Sequence, residues 1–598
     1  MESWCPCLPL PRPLLPIVAG FVGMLTSAAQ GEEAPMLSIH RLPPGETPAA
    51  DTPRWQQMLN PDGTWSVLKL EGADPISKEA KAKLAIPKGH VRWAAILPPG
   101  LAEQAEGGVQ LIGNLQSDPP AVEECSPLRQ QAPLLPAPPG VNLVRNLEFT
   151  TFGVEERVQE KATGSDTPSW TMKPGTRPAG LYAARSWRLP VLAGKEPWIL
   201  QVVARGEGKI RTGLAFDNGA GFGDATILET LELKGADTAF SLKLPKTLAE
   251  AKQLRVVLLA PDDHAADLHV SSISFQQGPG GGASKPVNTE LGVWNWSTKP
   301  EEWRRLKPVW KQAGVKVLQL ALPRELQHGA EGPLPALSDL RKEDFQIVAV
   351  EGDPHMILPQ EKSSVVARHQ QLTALHGKYL DGIQYDVEPY LLPGFRLEPE
   401  LWHQHWLQMY EALTPGKAPL RVEPVVPFWL IAQPAAQKLL KGLAPRSTRV
   451  VVMNYRSDAG DAAAWATSWL EWSVQHQCPV ALAVECGPVP DLESATYRKA
   501  PRGPLWLKSW PGHGTVAVIF DGEVDPGADA TTFALARQGT VSGAATSLQG
   551  QDPTHVAEWL QTMRDISQRL NLPAKLIPRL LLHEPKEELL RYLGERAQ

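Results

Sequence analysis

From residue 288 onward the sequence alternates strand-like and helix-like segments, and no other feature constrains the fold as strongly. Eight short runs rich in aliphatic and β-branched residues read as strands: Glu290–Trp296, Val315–Ala321, Phe345–Glu351, Gly382–Glu388, Leu420–Val426, Val450–Tyr455, Val480–Glu485 and Gly539–Ser547. Amphipathic stretches of helical period lie between most of them, at Pro300–Ala313, Ser363–His376, Leu397–Leu413, Pro434–Leu443 and Asp461–His476. A final helix is expected at Pro553–Leu570, after the eighth strand. A strand followed by a crossover helix leads to a parallel neighbour, and eight such units in roughly 300 residues fit a closed (β/α)₈ barrel. A doubly wound open sheet is the structural alternative, but no glycine-rich phosphate loop follows the first strand.

The segment before this one has a different rhythm. Trp198–Ala204, Lys209–Phe216, Leu254–Ala260 and Leu268–Phe275 are short alternating or β-branched runs, punctuated by Gly, Asp and Pro. That spacing is the signature of a β-sandwich. The expected fold class is therefore multidomain, with a C-terminal TIM barrel at 288–598 preceded by an all-β jelly-roll sandwich at 139–277. A Gly-rich linker at 278–287 joins the two. Residues 30–138 are rich in Pro, Gly and charge, with strand-like pieces at Gly63–Leu70 and Val91–Leu97 but no nameable fold. The Pro-rich run Leu134–Gly140 reads as a linker. Proline makes up 58 of 598 residues, close to twice the usual share of roughly 5%, which favours ordered loops over a helical bundle.

At the start of the chain Arg12 precedes the apolar run Leu14–Leu25, and the small residues Ser27 and Ala29 follow. This is the pattern of a signal peptide over residues 1–29, cleaved near Ala29. The apolar run is short for a membrane span, and no second run of membrane length occurs. The protein is expected to be exported, to the periplasm, cell surface or medium, with no stable membrane span after cleavage. A net charge of −6 without any Lys/Arg run argues against nucleic acid as a partner. Beyond the signal segment only Cys125, Cys478 and Cys486 remain. They form neither a disulfide framework nor a zinc pattern, and Cys478 and Cys486 bracket one strand, too far apart to bridge. Free thiols are expected.

Barrel enzymes carry their catalytic groups at the C-terminal strand ends. Side chains repeat every two residues along a strand, so Gln384, Asp386 and Glu388 share one face of the fourth strand. On the seventh, the apolar set Val480, Leu482 and Val484 belongs against the helices, which turns Glu485 into the mouth. Carboxylates gathered there repel one another, and repulsion with partial burial raises at least one pKa, as a general acid requires. Pro389 ends the fourth strand directly after Glu388. The chain has 20 Trp; those at strand ends, Trp294, Trp296 and Trp429, are candidate sugar-stacking walls, with core packing the alternative. Glu351 adds acid after the third strand. The acidic spacing matches no calcium loop, so neither a metal nor a cofactor is expected.

The run Asp381-Gly-Ile-Gln-Tyr-Asp386-Val-Glu388-Pro resembles the fourth-strand signature of family 18 glycoside hydrolases, the chitinase-like barrels, Asp-Gly-x-Asp-x-Asp-x-Glu. Asp381, Gly382, Asp386 and Glu388 match it, while Gln384 replaces the middle Asp. Met453-Asn454-Tyr455-Arg456 resembles that family's Met-x-Tyr-Asp, with Arg456 in place of Asp, and no Trp ends the expected eighth strand. The resemblance implies Glu388 as general acid, with Asp386 and Tyr455 holding a substrate acetamido group whose oxygen attacks the anomeric carbon. A second resemblance, to retaining barrel glycosidases with Glu-Pro ending strand four and Glu ending strand seven, implies Glu388 as acid/base and Glu485 as nucleophile. Val387 stands where that group has Asn. The strand is also similar to that of a group of uncharacterised bacterial barrel proteins with Gly-Ile-x-x-Asp-Val-Glu-Pro-Tyr. The runs Asn142–Phe149 and Asp267–Phe275 resemble the ends of jelly-roll carbohydrate-binding modules.

These readings converge on an exported glycoside hydrolase that cleaves a polysaccharide or oligosaccharide by general acid catalysis. Its catalytic candidates are Glu388, Asp386, Glu485 and Tyr455. Its substrate-binding candidates are Asp381, Gln384, Trp294, Trp296, Asn454, Arg456, Trp429 and Glu351. The alternative, favoured by Gln384 and Arg456, is a non-catalytic carbohydrate-binding or cell-surface protein on a degenerate barrel.

Overall fold

The computed structural model describes residues 35–50, 52, 56–71, 82–118, 120–128, 133–161, 169–192, 196–217, 225–277, 289–323, 334–416 and 420–597. The expected signal segment and the linker at 278–287 lie outside them. Among the described residues the strands form four sheets, one of them a closed barrel.

The barrel strands are, in ring order, Leu291–Asn295, Val317–Ala321, Gln346–Glu351, Gly382–Tyr385, Arg421–Pro427, Val450–Met453, Val480–Glu485 and Arg579–His583, and the last pairs in parallel with the first. The first seven are the runs the sequence pattern marks, shifted by a few residues at their ends. The eighth is a correction. Gly539–Ser547 holds the end of an antiparallel strand, Ala530–Val541, and a short turn, Gly543–Ala545; it pairs with no barrel strand beyond a bridge between Ser547 and Glu485 among the described residues. Helix Pro553–Arg569 leads into the true eighth strand rather than following it, and Glu587–Ala597 is the helix that comes after. The physical criterion is burial. Leu580, Leu581 and Leu582 are all fully enclosed, as a strand covered on both faces demands, whereas Arg537 to Thr540 are exposed.

The displaced strand belongs to an insertion. Between the seventh and eighth barrel strands the chain makes four antiparallel strands, Leu492–Ala500, Gly503–Trp510, Gly514–Val524 and Ala530–Val541. Val91–Leu97 adds to one side of this sheet, and Val109–Asn114 with Ala121–Pro127 to the other, giving seven strands. Alternation then gives each face a core. Trp93, Ala95, Leu97, Leu505 and Leu507 pack together on one face. Ala94, Ile96, Trp506, Val516 and Val518 on the other pack against Leu37, Ile39, Met58 and Leu68 of a four-stranded sheet formed by Met36–Arg41, Gln57–Leu59, Trp65–Glu71 and Ala82–Ala85. Three N-terminal strands thus share a sheet with the insertion before strand eight, and the other four form a sheet that packs on it, which is why the region shows no fold of its own by sequence. They also reach the barrel. Leu59 N–H donates to Pro393 O at 2.9 Å and Arg396 donates to Ile96 O at 3.0 Å, both at the loop after barrel strand four.

The all-β region forms one 11-stranded, largely antiparallel sheet built on a strand of 20 residues, Trp198–Asp217. Its first half pairs with Ala266–Gln277 and Thr238–Lys243, and its second with Gln253–Leu259 and Thr226–Lys234. The stretch read as a linker, Leu134–Gly140, is ordered instead. Leu135–Pro136 pairs with Trp187–Arg188, and Leu135 and Ala137 are buried. Proline there removes amide donors from an edge that needs none. Arg185 to Asp461 (2.6 Å) and Arg188 to Glu471 (2.5 Å) fasten this sheet to barrel helix Ala459–His476.

Candidate active site at the barrel mouth

Parallel pairing advances by about one residue per strand around the ring, so inward side chains from alternate strands fall into layers of four. The middle layer is Gln319, Gln384, Val451 and Leu581. Above it lie Trp294, Val350, Val425 and Ala483, an apolar floor. The next layer up, Ala321, Asp386, Met453 and His583, opens the mouth, and Gly352, Pro427, Glu485 and Trp296 follow. Below the middle layer an ionic plug closes the other end. Arg579, 5% exposed, meets Glu423 at 3.4 Å and Glu290 at 3.3 Å, and Gln319 bonds Glu423.

Strand four delivers the acids. Ile383, Tyr385 and Val387 pack into the helical layer, which leaves Gln384 and Asp386 to the lumen. Glu388 lies at the rim, where the Tyr390 hydroxyl donates to its carboxylate. Tyr390 in turn meets the Trp429 ring edge-on at 5.4 Å, and it packs against the lumen cluster of Trp294, Met453 and Tyr455. The small residues Ala321 and Gly352 stand beside Asp386. A Cβ on Gly352 would come within 2.1 Å of the Asp386 carbonyl, so strands three and four close here only because residue 352 is glycine.

On the opposite wall is a chain of hydrogen bonds that the sequence reading did not assemble. Glu485 is fully enclosed. One carboxylate oxygen accepts from Gly487 N–H at 2.6 Å, and the other pairs with His583 Nδ1 at 2.7 Å. His583 Nε2 lies 2.8 Å from the Trp296 indole nitrogen. An indole N–H only donates, so Nε2 must carry a lone pair and the imidazole proton must sit on Nδ1, directed at Glu485. Trp294 packs edge-on against His583 at 4.7 Å, and Tyr455 lies over it at 5.6 Å. His583 was missed because its strand was misplaced. The available signal was the run Leu580-Leu-Leu-His583 ending a strand-length apolar segment between two helices.

The other candidates fall in different places. Asp381 lies at the start of strand four, at the opposite end of the barrel from the mouth, bonded to Arg341 (2.5 Å) and Ile347 N–H. Glu351 faces the helical layer and pairs with Arg368 at 2.5 Å. Gln384 is enclosed beneath the apolar floor, with neither amide atom bonded within the protein. Asn454 is buried and donates to Ala462 O, while Arg456 lies over the Phe428 ring at 4.6 Å. The mouth therefore gathers Asp386, Glu388, Tyr455, Trp294, Trp296, Trp429 and Glu485, and leaves Asp381, Glu351 and Gln384 away from its opening. Cys125, Cys478 and Cys486 are free and buried. Burial pushes the Cys478 thiol up to about 12. The described residues hold no cluster of three or more His, Cys, Asp or Glu able to bind a metal ion, and no described helix is long and apolar enough to cross a membrane.

No protein-family model matches the sequence, and no curated protein matches it. Among solved structures, a Clostridium thermocellum endo-1,4-β-D-xylanase 10B fragment with CBM22-1 and GH10 modules aligns over 60% of this chain and 82% of its own, at 9% identity and a TM-score of 0.23. A family 29 carbohydrate-binding module aligns over 24% of this chain and 86% of its own, at 11% identity and a TM-score of 0.17. A family 61 module solved with β-1,4-galactotriose covers 23% and 99%, at 9% identity and 0.17. At these scores the likenesses carry no weight below.

Proposed function

We propose that the protein is an exported glycoside hydrolase, acting on a polysaccharide or oligosaccharide at the mouth of its barrel. The observation that carries this reading is strand four. It turns Asp386 into the lumen beside the gap left by Ala321 and Gly352, and sets Glu388 at the rim against Tyr390 and the Trp429 wall. Glu388 is assigned as the general acid for the leaving oxygen, and Asp386 as the group that orients the substrate or its participating acetamide. Glu485 is a weak candidate for nucleophile, because both its oxygens are engaged and it has no exposed surface. That enclosure also favours the second reading, a carbohydrate-binding barrel without turnover. Reducing-sugar release from a broad glycan panel, run with the purified protein and with Glu388→Gln, tests both. Release that falls by at least about a hundredfold in the variant supports the hydrolase. No release by either protein, with glycan still retained in pull-downs, supports the binder.

A further inference from the structure

The geometry points to His583 as a positioning residue that holds the Trp296 indole as a wall of the mouth, and holds it only while the imidazole is neutral. The inference rests on the proposed glycan site, because the wall matters only where a sugar face meets it.

Trp296 is fixed at two points by strand eight. Its indole N–H donates to His583 Nε2 at 2.8 Å, and its backbone N–H donates to a Glu584 oxygen at 2.7 Å. Glu584 has φ of +49°, a left-handed conformation that a residue with a Cβ adopts at a cost. It follows His583 directly and turns its carboxylate back to strand one. The imidazole is in turn fixed from behind by Glu485, and Glu485 by Gly487 N–H. The bonds run from strand seven through strand eight to strand one, and each donor has one acceptor. Trp296, half-buried, is the only member of the chain with more than marginal exposure apart from Glu584, so it is the part that a ligand can meet.

Protonation breaks the chain at one place. An imidazolium has N–H groups at both nitrogens. Nδ1–H still meets Glu485, but Nε2–H would then point at the Trp296 N–H, donor against donor. Trp296 must rotate away or lose its partner. Among the described residues, the charged and titratable groups around His583 are Glu485 and the Cys486 thiol on the strand-seven side, Tyr455 after strand six, Glu584 next to it in sequence, and Asp386, which shares its layer of the barrel. Burial and the neighbouring Glu485 push the Cys486 thiol far up, so it stays neutral. Losing one such hydrogen bond weakens a ligand that needs the wall by about two- to tenfold.

The test has two arms. In ¹⁵N-histidine-labelled protein, with His583 assigned by its loss in His583→Gln, the expected spectrum at pH 7.5 is a neutral ring protonated on Nδ1. On acidification the Trp296 indole N–H resonance should shift together with His583 protonation. An Nε2-protonated ring at pH 7.5, or an indole resonance unmoved as His583 protonates, would overturn the inference whether or not any glycan binds. In the second arm, glycan retention is measured from pH 8 to pH 5 for the native protein and for Trp296→Phe, which keeps a ring but has no N–H. The native protein should lose affinity by about two- to tenfold, with a dependence that Trp296→Phe lacks. Identical pH profiles for the two proteins would also overturn it. If no glycan binds at any pH, the proposed function fails and the nuclear-resonance arm alone decides the role of His583.

Discussion

Glu485→Gln is close to isosteric, yet it should destabilise the seam between barrel strands seven and eight. In the native chain Gly487 N–H and His583 Nδ1–H both donate to the carboxylate, and Trp296 N–H donates to His583 Nε2. A glutamine offers one acceptor and one donor where the carboxylate offers two acceptors. If its oxygen faces Gly487, its N–H meets Nδ1, the imidazole proton moves to Nε2, and that proton opposes the Trp296 N–H. If its oxygen faces His583, its N–H opposes Gly487 instead. Every arrangement leaves two N–H groups facing each other without an acceptor, at a cost of about 1–3 kcal/mol for each one that stays buried. Hydrogen exchange at amides of Val480–Glu485 and Arg579–His583 is the suitable assay, because it reads local opening in a chain of several domains. A loss of about 2 kcal/mol speeds exchange roughly thirtyfold if those amides open locally. Adding Trp296→Phe removes the opposing N–H in the first arrangement, so the double variant should recover part of the protection. Unchanged exchange in Glu485→Gln, or strictly additive losses in the double variant, would refute the donor count.

Other consequences follow from the same geometry. Gly352→Ala places a Cβ 2.1 Å from the Asp386 carbonyl; it should cost about 1–3 kcal/mol and lower the urea midpoint, and an unchanged midpoint would show that the strands can separate there freely. Arg579→Met strips the buried Glu423 of its ion-pair partner and should cost about 3–5 kcal/mol by chemical denaturation. His403 is held at a pKa of about 4 by burial, below the roughly 6.5 of an unfolded histidine. Between these values the unfolded chain binds the proton and the folded one does not, so stability is full above about pH 6.5 and falls as pH drops toward 4. His403→Leu should flatten that fall in urea midpoints, and an equal slope in the variant would assign the dependence to other groups.

The barrel was readable because its strands are covered on both faces, and such strands appear as short apolar runs whatever the loops between them do. Seven came out on that criterion, along with the side on which Asp386 and Ala483 lie. The eighth did not, because a connection from strand seven to strand eight is normally short, and the insertion put an antiparallel strand where the parallel one was due. Two consequences at the site follow from that displacement. His583 stayed out of view, and Glu485 looked like an open carboxylate when its partner is on the missing strand. Asp381 and Glu351 lie away from the mouth for a different reason. Alternation tells which face a residue takes but not its height along the barrel axis, and both carboxylates had a basic partner, Arg341 and Arg368, on helices that no local pattern ties to them. The N-terminal strands are partly visible at Gly63–Leu70 and Val91–Leu97; the first pairs with near neighbours in sequence, but its sheet packs on, and the second is paired by, strands distant in sequence.

That long-range sheet bears on the mouth itself. The insertion leaves the barrel directly after Glu485 and comes back beside it at Ser547; helix Pro553–Arg569 then leads to strand eight, whose last residue, His583, meets Glu485 at 2.7 Å. Strand eight also closes the barrel against strand one, and Trp296 ends that seam. The Glu485–His583–Trp296 chain therefore stands at the foot of the insertion, and the short buried hydrogen bonds of Glu485 there fix register as well as side-chain orientation. From the other side, the N-terminal strands complete the inserted sheet and bond through Leu59 and Arg396 to the loop after strand four, within a few residues of Glu388. One added sheet thus touches both walls of the mouth. Loosening it, for example by breaking the pairing of Val91–Leu97 with Gly514–Val524, should disturb Glu388 and Trp296 together, although neither residue lies in that sheet.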